Sequence, residues 1–194
     1  MIKDRIVWPP KFDPEKTKAY SENSIEVNGL TPEEIWPYLI NISDWDRINN
    51  AIVSANFIDP SINDPHLFGG AEFVYKTDSL EIHARVLEAI PPKGDRPGRI
   101  SYEAEASTIN GDETPQTFDF VRAWLLGVPD KEGNFEVATA ISFKGDGMDE
   151  FVEKNESGIS TFDSDSFHGL MKLVGIREYT TNHPRKPSSG AMIP

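Results

Sequence analysis

Ser24-Ile-Glu-Val-Asn-Gly-Leu-Thr-Pro-Glu-Glu-Ile-Trp36 is a strand running into a helix, and it decides how the rest of the chain is read. Ile25 and Val27 alternate with polar neighbours, the period of a half-buried strand. Gly29 and Leu30 turn the chain. Thr31 then stands as an N-cap, Pro32 occupies the first helical position, and Glu34 completes a capping box. Ile35, Trp36, Leu39 and Ile40 give this helix an apolar face. Pro37 removes one of its internal hydrogen bonds and should kink or shorten it. Ser43 and Asp46 can open a second short helical turn around Trp45.

Outward from this start, period-two texture marks strands at Ile52–Ile58, Ala71–Lys76, Leu80–Ile90, Arg99–Ala106, Phe118–Leu126 and Phe135–Lys144. Turn signals separate them: Asp59-Pro60, Gly69-Gly70, Pro91-Pro-Lys-Gly94, Asn110-Gly111 and Pro129-Asp-Lys-Glu-Gly133. After Gly145 the chain reads as a polar stretch to about Ser164. A last helical pattern follows, with Phe167, Leu170, Met171 and Val174 at i, i+3, i+4 and i+7. Strand, two short helices, antiparallel strands and a terminal helix make an α+β chain. A sheet of that size with one amphipathic helix to cover it should curl around the helix and leave a space between them.

Residues 1–19 read as an N-terminal arm broken by Pro9, Pro10 and Pro14, with Trp8 as its anchor. Residues 20–180 form the domain, and residues 181–194 read as a flexible tail. With 194 residues, one domain with a core of its own is expected.

Composition removes several functions. The formal net charge is −13, with 19 Lys and Arg against 32 Asp and Glu and no basic block. A nucleic-acid partner is therefore not expected, since phosphate binding needs a cationic face. Anionic membrane surfaces are disfavoured for the same reason, and no apolar run is long enough for membrane insertion. The chain has no cysteine, which excludes disulfides, thiolate metal sites and a cysteine nucleophile. No signal peptide is visible, so a cytoplasmic protein is expected.

At this point the chain resembles the START-like, or SRPBCC, superfamily, which includes birch-pollen-type allergens, lipid-transfer START domains and polyketide cyclase/dehydrase-like proteins. The resemblance begins at Ser24-Ile-Glu-Val and Thr31-Pro-Glu-Glu-Ile-Trp36. It continues through Ile42-Ser-Asp-Trp45, Phe68-Gly-Gly-Ala-Glu-Phe73 and Ile82-His-Ala-Arg-Val-Leu-Glu88. Arg99-Ile-Ser-Tyr102, Arg122-Ala-Trp124 and Phe143-Lys-Gly145 follow in order, and Phe167-His-Gly-Leu-Met-Lys-Leu173 resembles the start of the C-terminal helix. These motifs cover roughly residues 20–178, and their order carries more weight than any one of them. The resemblance implies a helix-grip fold: a curved antiparallel sheet wrapped around a long C-terminal helix, with two short helices after the first strand.

Strand parity then says which side chains face the enclosed space. Val53, Ala55 and Phe57 should point inward, as should Phe73 and Tyr75, Ile82, Ala84 and Val86, and Ile100, Tyr102 and Ala104. So should Phe118, Phe120 and Trp124, with Val137, Thr139, Ile141 and Phe143 beyond them. Alternate residues such as Glu81, His83, Arg85, Glu103 and Glu105 should face water. Arg122 breaks the pattern by sharing the inward parity. It can bind a ligand carboxylate or enolate, two oxygens at once, or reach the cavity rim and pair with an acid. The candidate ligand-binding set is Phe57, Phe73, Tyr75, Tyr102, Phe120, Arg122, Trp124 and Phe143, with Phe167, His168 and Met171 from the last helix. For any single aromatic, filling a core is the plainer reading.

No histidine pair has metal-ligand spacing, and there is no nucleophile elbow, phosphate loop or dinucleotide fingerprint. Asp163-Ser-Asp165 suggests calcium but lacks the glycine and terminal Glu of an EF loop. No metal or other cofactor is expected. Asp146 to Asp165 reads as a solvated linker, or as a lid using Phe151, Val152, Ile159 and Phe162. The expected function is binding of a small hydrophobic or aromatic molecule. A cyclase- or dehydratase-like enzyme and a co-chaperone-like interaction module stay open as alternatives, as does a homodimer.

Overall fold

The computed structural model describes residues 2–16, 19–109, 117–144, 148–176 and 179–182. Eight strands form one antiparallel sheet, curved but not closed, in the order β2-β3-β4-β5-β6-β7-β1-β8. Here β1 is Tyr20–Val27, β2 Ile52–Phe57, β3 Glu72–Thr77 and β4 Leu80–Ile90. Then come β5 Gly98–Thr108, β6 Thr117–Leu126, β7 Phe135–Lys144 and β8 Thr180–Asn182. Between β1 and β2 lie helix α1, Pro32–Ile40, a 3-10 turn at Ile42–Asp44 and helix α2, Trp45–Ile48. Helix α3 runs from Met148 to Leu173. This is the α+β helix-grip arrangement that the family resemblance implied.

Local chemistry explains the starts and stops. The Thr31 N–H donates to the Glu34 carboxylate at 2.7 Å, closing the first turn of α1. Pro37 sits inside the helix, which ends at Ile40, and the Asn41 N–H returns to the Pro37 carbonyl. From β2 to β7 each strand pairs with the next, while β1 pairs with β7 over its whole length, Tyr20 opposite Ser142 and Val27 opposite Phe135.

Four expectations change. The stretch after Gly145 is neither a linker nor a loop lid: from Met148 onward it is the first half of α3. Its inward side carries Val152, Ile159, Phe162, Asp163 and Ser166 at helical spacing, continuous with Phe167, Leu170 and Met171. Val53 does not face inward but is 61% exposed, because the β2–β3 register shifts between Ile52 and Ser54 and turns it out.

The arm is also different from its sequence reading. It forms 3-10 turns at Ile2–Arg5 and Pro10–Phe12. Trp8 is only half-buried, edge-on to Tyr20 at 5.9 Å. The buried anchors are Ile2, Ile6 and Phe12. Ile2 and Ile6 cover Ala123, Leu125, Ala138 and Ala140 on the outer face of β6 and β7, so this part of the sheet is apolar on both sides. Finally, β8 lies where the tail was expected to begin and pairs with β1, Ser24 opposite Asn182. The rest of the expected tail, 183–194, is outside the described residues.

The main core lies between the inner sheet face and the helices. At its centre Trp45 meets Phe73 edge-on at 5.5 Å and Tyr75 at 5.6 Å, and Phe73 meets Tyr102 at 5.3 Å. The Trp45 indole N–H donates to the Leu39 carbonyl at 3.2 Å, which fixes the ring in place. Helix α3 passes so close to α2 at Gly169 that a Cβ there would lie 2.0 Å from the Ile48 carbonyl oxygen. Asn49, just past α2, donates to the Phe162 carbonyl and to Ser166 Oγ, both at 2.8 Å.

Candidate functional site

The inward residues of β6 build the site. Phe118, Phe120, Arg122 and Trp124 share one face of the strand, as their spacing dictates. Phe143 on β7 lies 5.9 Å from both Phe118 and Phe120, forming an aromatic wall. Opposite it stand Ile159 and Phe162 of α3, and the β3–β4 turn, Thr77 to Leu80, borders the opening. These surfaces line a cavity of about 470 Å³ that is open to solvent on one side. Among the described residues no histidine lines it.

Arg122 forms the inner end. It is 6% exposed and pairs through Nη2 with the Asp163 carboxylate, itself 1% exposed. Asn23 of β1 donates to the other Asp163 oxygen at 2.6 Å. The guanidinium lies 5.0 Å from the Phe162 ring and 5.7 Å from the Trp124 ring. Tyr75 Oη and Tyr102 Oη stand 3.5 Å apart beside it. Arg122, Tyr75 and Phe162 also border a second, much smaller space of about 30 Å³ against Trp45 and Trp124. They therefore divide the cavity from the packed core.

Electrostatics keeps this end in one protonation state. Burial works against the Arg122 charge, but the Asp163 carboxylate and the two tyrosines outweigh it, and the guanidinium titrates above its ordinary range. Burial pushes the Tyr75 hydroxyl well above its usual value and raises that of Tyr102. Both remain hydrogen-bond donors at neutral pH.

The candidate residues divide by position. Tyr75, Phe120, Arg122 and Phe143 line the large cavity, and Tyr102 and Trp124 border the small space behind it. Phe73 and Met171 are fully buried in the core, and Phe167 packs edge-on to Trp124 at 5.5 Å. Phe57 is half-buried at the sheet edge against Phe68, at 6.1 Å. His168 lies on the exposed side of α3, its Nδ1 3.3 Å from Tyr179 Oη, away from both spaces.

Arg122 does pair with an acid, but in the interior and not at the rim. Asn23 escaped sequence reasoning, Asp163 entered it only in a calcium-like triplet, and Phe162 only as apolar material for a lid. The signal for Asp163 was its position four residues before Phe167, on the apolar stripe of the helix, where a lone charge calls for a partner. His83 and His66 face water beside Glu81 and Asp64. Among the described residues no cluster of three or more His, Asp or Glu could hold a metal ion. No helix among them is long and apolar enough to cross a membrane.

No protein-family model matches the chain, and no curated protein matches it. Solved structures do. A hypothetical protein from Helicobacter pylori superposes with a TM-score of 0.72 at 18% identity, covering 87% of this chain and 95% of that one. A conserved protein from Geobacillus kaustophilus gives 0.56 at 16% identity, covering 84% and 99%. A START superfamily protein from Mycobacterium smegmatis gives 0.51 at 11% identity, covering 80% and 98%. At these identities the likeness is one of fold, and it is shared with the START superfamily protein.

Proposed function

We propose that the protein binds a small, largely apolar molecule in the 470 Å³ cavity, its body against Phe118, Phe120 and Phe143 and its polar end toward Arg122 and Tyr75. The observation that carries this reading is an aromatic-walled space ending on a buried, charged side chain. Its volume falls within the range of ligand sites, and so does its plan of apolar walls with a few convergent polar groups. The START-like fold supports the same reading, and residues 20–180 are the unit that would do the binding. Binding is favoured over catalysis because the groups at the inner end of the cavity, Arg122 and Tyr75, are hydrogen-bond donors that hold their protons at neutral pH.

Fluorescence of N-phenyl-1-naphthylamine tests the proposal. It should rise on mixing with the protein. It should fail to do so with Ile159→Trp, which fills the cavity from a half-buried position on α3. Organic extraction of the purified protein, followed by mass spectrometry, should release an apolar compound. Absence of both probe binding and extracted compound would end this reading.

A further inference from the structure

We propose, resting on the cavity being a ligand site, that the group seated against Arg122 is a neutral hydrogen-bond acceptor, such as a ketone, ester or amide carbonyl, and not a carboxylate. The ligand class is then an apolar or aromatic body bearing a neutral carbonyl.

The argument begins with charge. A buried guanidinium in an apolar pocket suggests an anion partner, but here the anion is already built in. Asp163 cancels the Arg122 charge, and both its oxygens are engaged, one by Arg122 and one by Asn23. A ligand carboxylate would bring a second negative charge to a buried site that is already neutral, next to Asp163, and among the described residues no other cation lines the cavity to compensate it.

Donor capacity points the same way. A guanidinium carries five N–H donors, and the one hydrogen bond Arg122 makes among the described residues is through Nη2 to Asp163. Tyr75 and Tyr102 hold two hydroxyl protons, and their mutual contact uses one at most. The inner end therefore presents unspent donors, most of them on the Arg122 guanidinium. A carbonyl oxygen has two lone pairs and no charge, so it accepts from Arg122 and Tyr75 together without adding charge. Turned the other way, a ligand acid meets the exposed Asp78 carboxylate at the opening. Neither end of the cavity suits an anion.

Two pairs of compounds with matched bodies provide the test: 2-acetylnaphthalene against 2-naphthoate, and 2-undecanone against decanoate. Each displaces N-phenyl-1-naphthylamine from the wild-type protein. The ketones should bind at least about tenfold tighter than the acids at pH 7.5, a difference of about 1.4 kcal/mol. Ketone affinity should stay flat on lowering the pH to about 5.5, while the acids tighten as their neutral fraction grows. In Asp163→Asn the guanidinium is uncompensated, and the acids should gain about tenfold relative to the ketones. Acids binding wild type as tightly as ketones would overturn the proposal, as would an unchanged preference in folded Asp163→Asn. If that variant does not fold, the wild-type pairs and their pH dependence decide. If the probe binds but no member of either pair displaces it, the carbonyl assignment is wrong and the cavity stands as a ligand site. If the probe does not bind, both fall.

Discussion

Alanine at Gly169 and alanine at Gly158 make the same chemical change in the same helix, and the structure demands opposite results. At Gly169 the added Cβ would lie 2.0 Å from the Ile48 carbonyl oxygen, 2.6 Å from its carbon and 2.9 Å from the Arg47 carbonyl oxygen. All three are backbone atoms and cannot rotate away, so α3 and α2 must separate by roughly 1 Å or more to restore normal contact. Overpacking of this kind costs about 1–3 kcal/mol. The separation also stretches the two Asn49 hydrogen bonds, now 2.8 Å each, beyond useful range, at about 1 kcal/mol apiece. Helix propensity returns about 1 kcal/mol. The net loss is about 2–4 kcal/mol, and a loss near 3 kcal/mol lowers the melting temperature by roughly 6–12 °C in a chain of this size. At Gly158 a Cβ would meet nothing within 4 Å. There only the propensity gain remains, and stability should rise by about 0.5–1 kcal/mol. Urea unfolding followed by far-ultraviolet circular dichroism measures both. Gly169→Ala as stable as wild type, or a common sign for the two variants, would refute the close crossing of α2 and α3.

Arg122→Met leaves the Asp163 carboxylate buried with Asn23 alone and should cost about 3–5 kcal/mol in denaturant unfolding, while Arg122→Met with Asp163→Leu should recover most of it. A single variant within about 1 kcal/mol of wild type would contradict the buried pair. Tyr75 and Tyr102 are both held above the ordinary tyrosine value of 10.0, by burial first. The folded protein thus keeps protons that the unfolded chain releases. Their contribution to stability is whole below that value and declines as pH rises through the folded values. Absorbance at 295 nm should show these two tyrosines ionising only with unfolding, and Tyr75→Phe should flatten the alkaline loss of stability. Ile6→Ala uncovers the outer face of β6 and β7 and should cost about 2 kcal/mol, read as a lower denaturant midpoint; no change would mean that the arm does not pack there.

The strands and the first helix were legible because their signals are local. Alternation in Leu80–Ile90 and the capping sequence at Thr31 need no distant partner to be read. Arg122 stood out for the same reason, as a charge at an apolar position of a regular strand. Asp163 did not, because its helix starts in an acid-rich stretch containing Gly158, and composition there outweighs a sparse apolar stripe. The arm hid for another reason: Ile2 and Ile6 are meaningful only once β6 and β7 present an apolar outer face to receive them. The bulge that exposes Val53 belongs to strand pairing and leaves no mark on β2 itself. Whether a buried arginine meets a protein acid or a ligand oxygen is likewise settled by tertiary placement, which periodicity does not encode.

The pairing of β1 with β7 has a consequence for how the chain is made. The hairpins from β2 to β7 can form as each strand emerges, but β1, made before all of them, pairs with β7, the last of them. Asn23 on β1 is in the same position relative to Asp163, and Ile2 and Ile6 relative to β6 and β7. Until β6, β7 and α3 are present, the amino-terminal segment waits with Ile2, Ile6, Ile25 and Val27 uncovered, so the sheet is completed only late in synthesis.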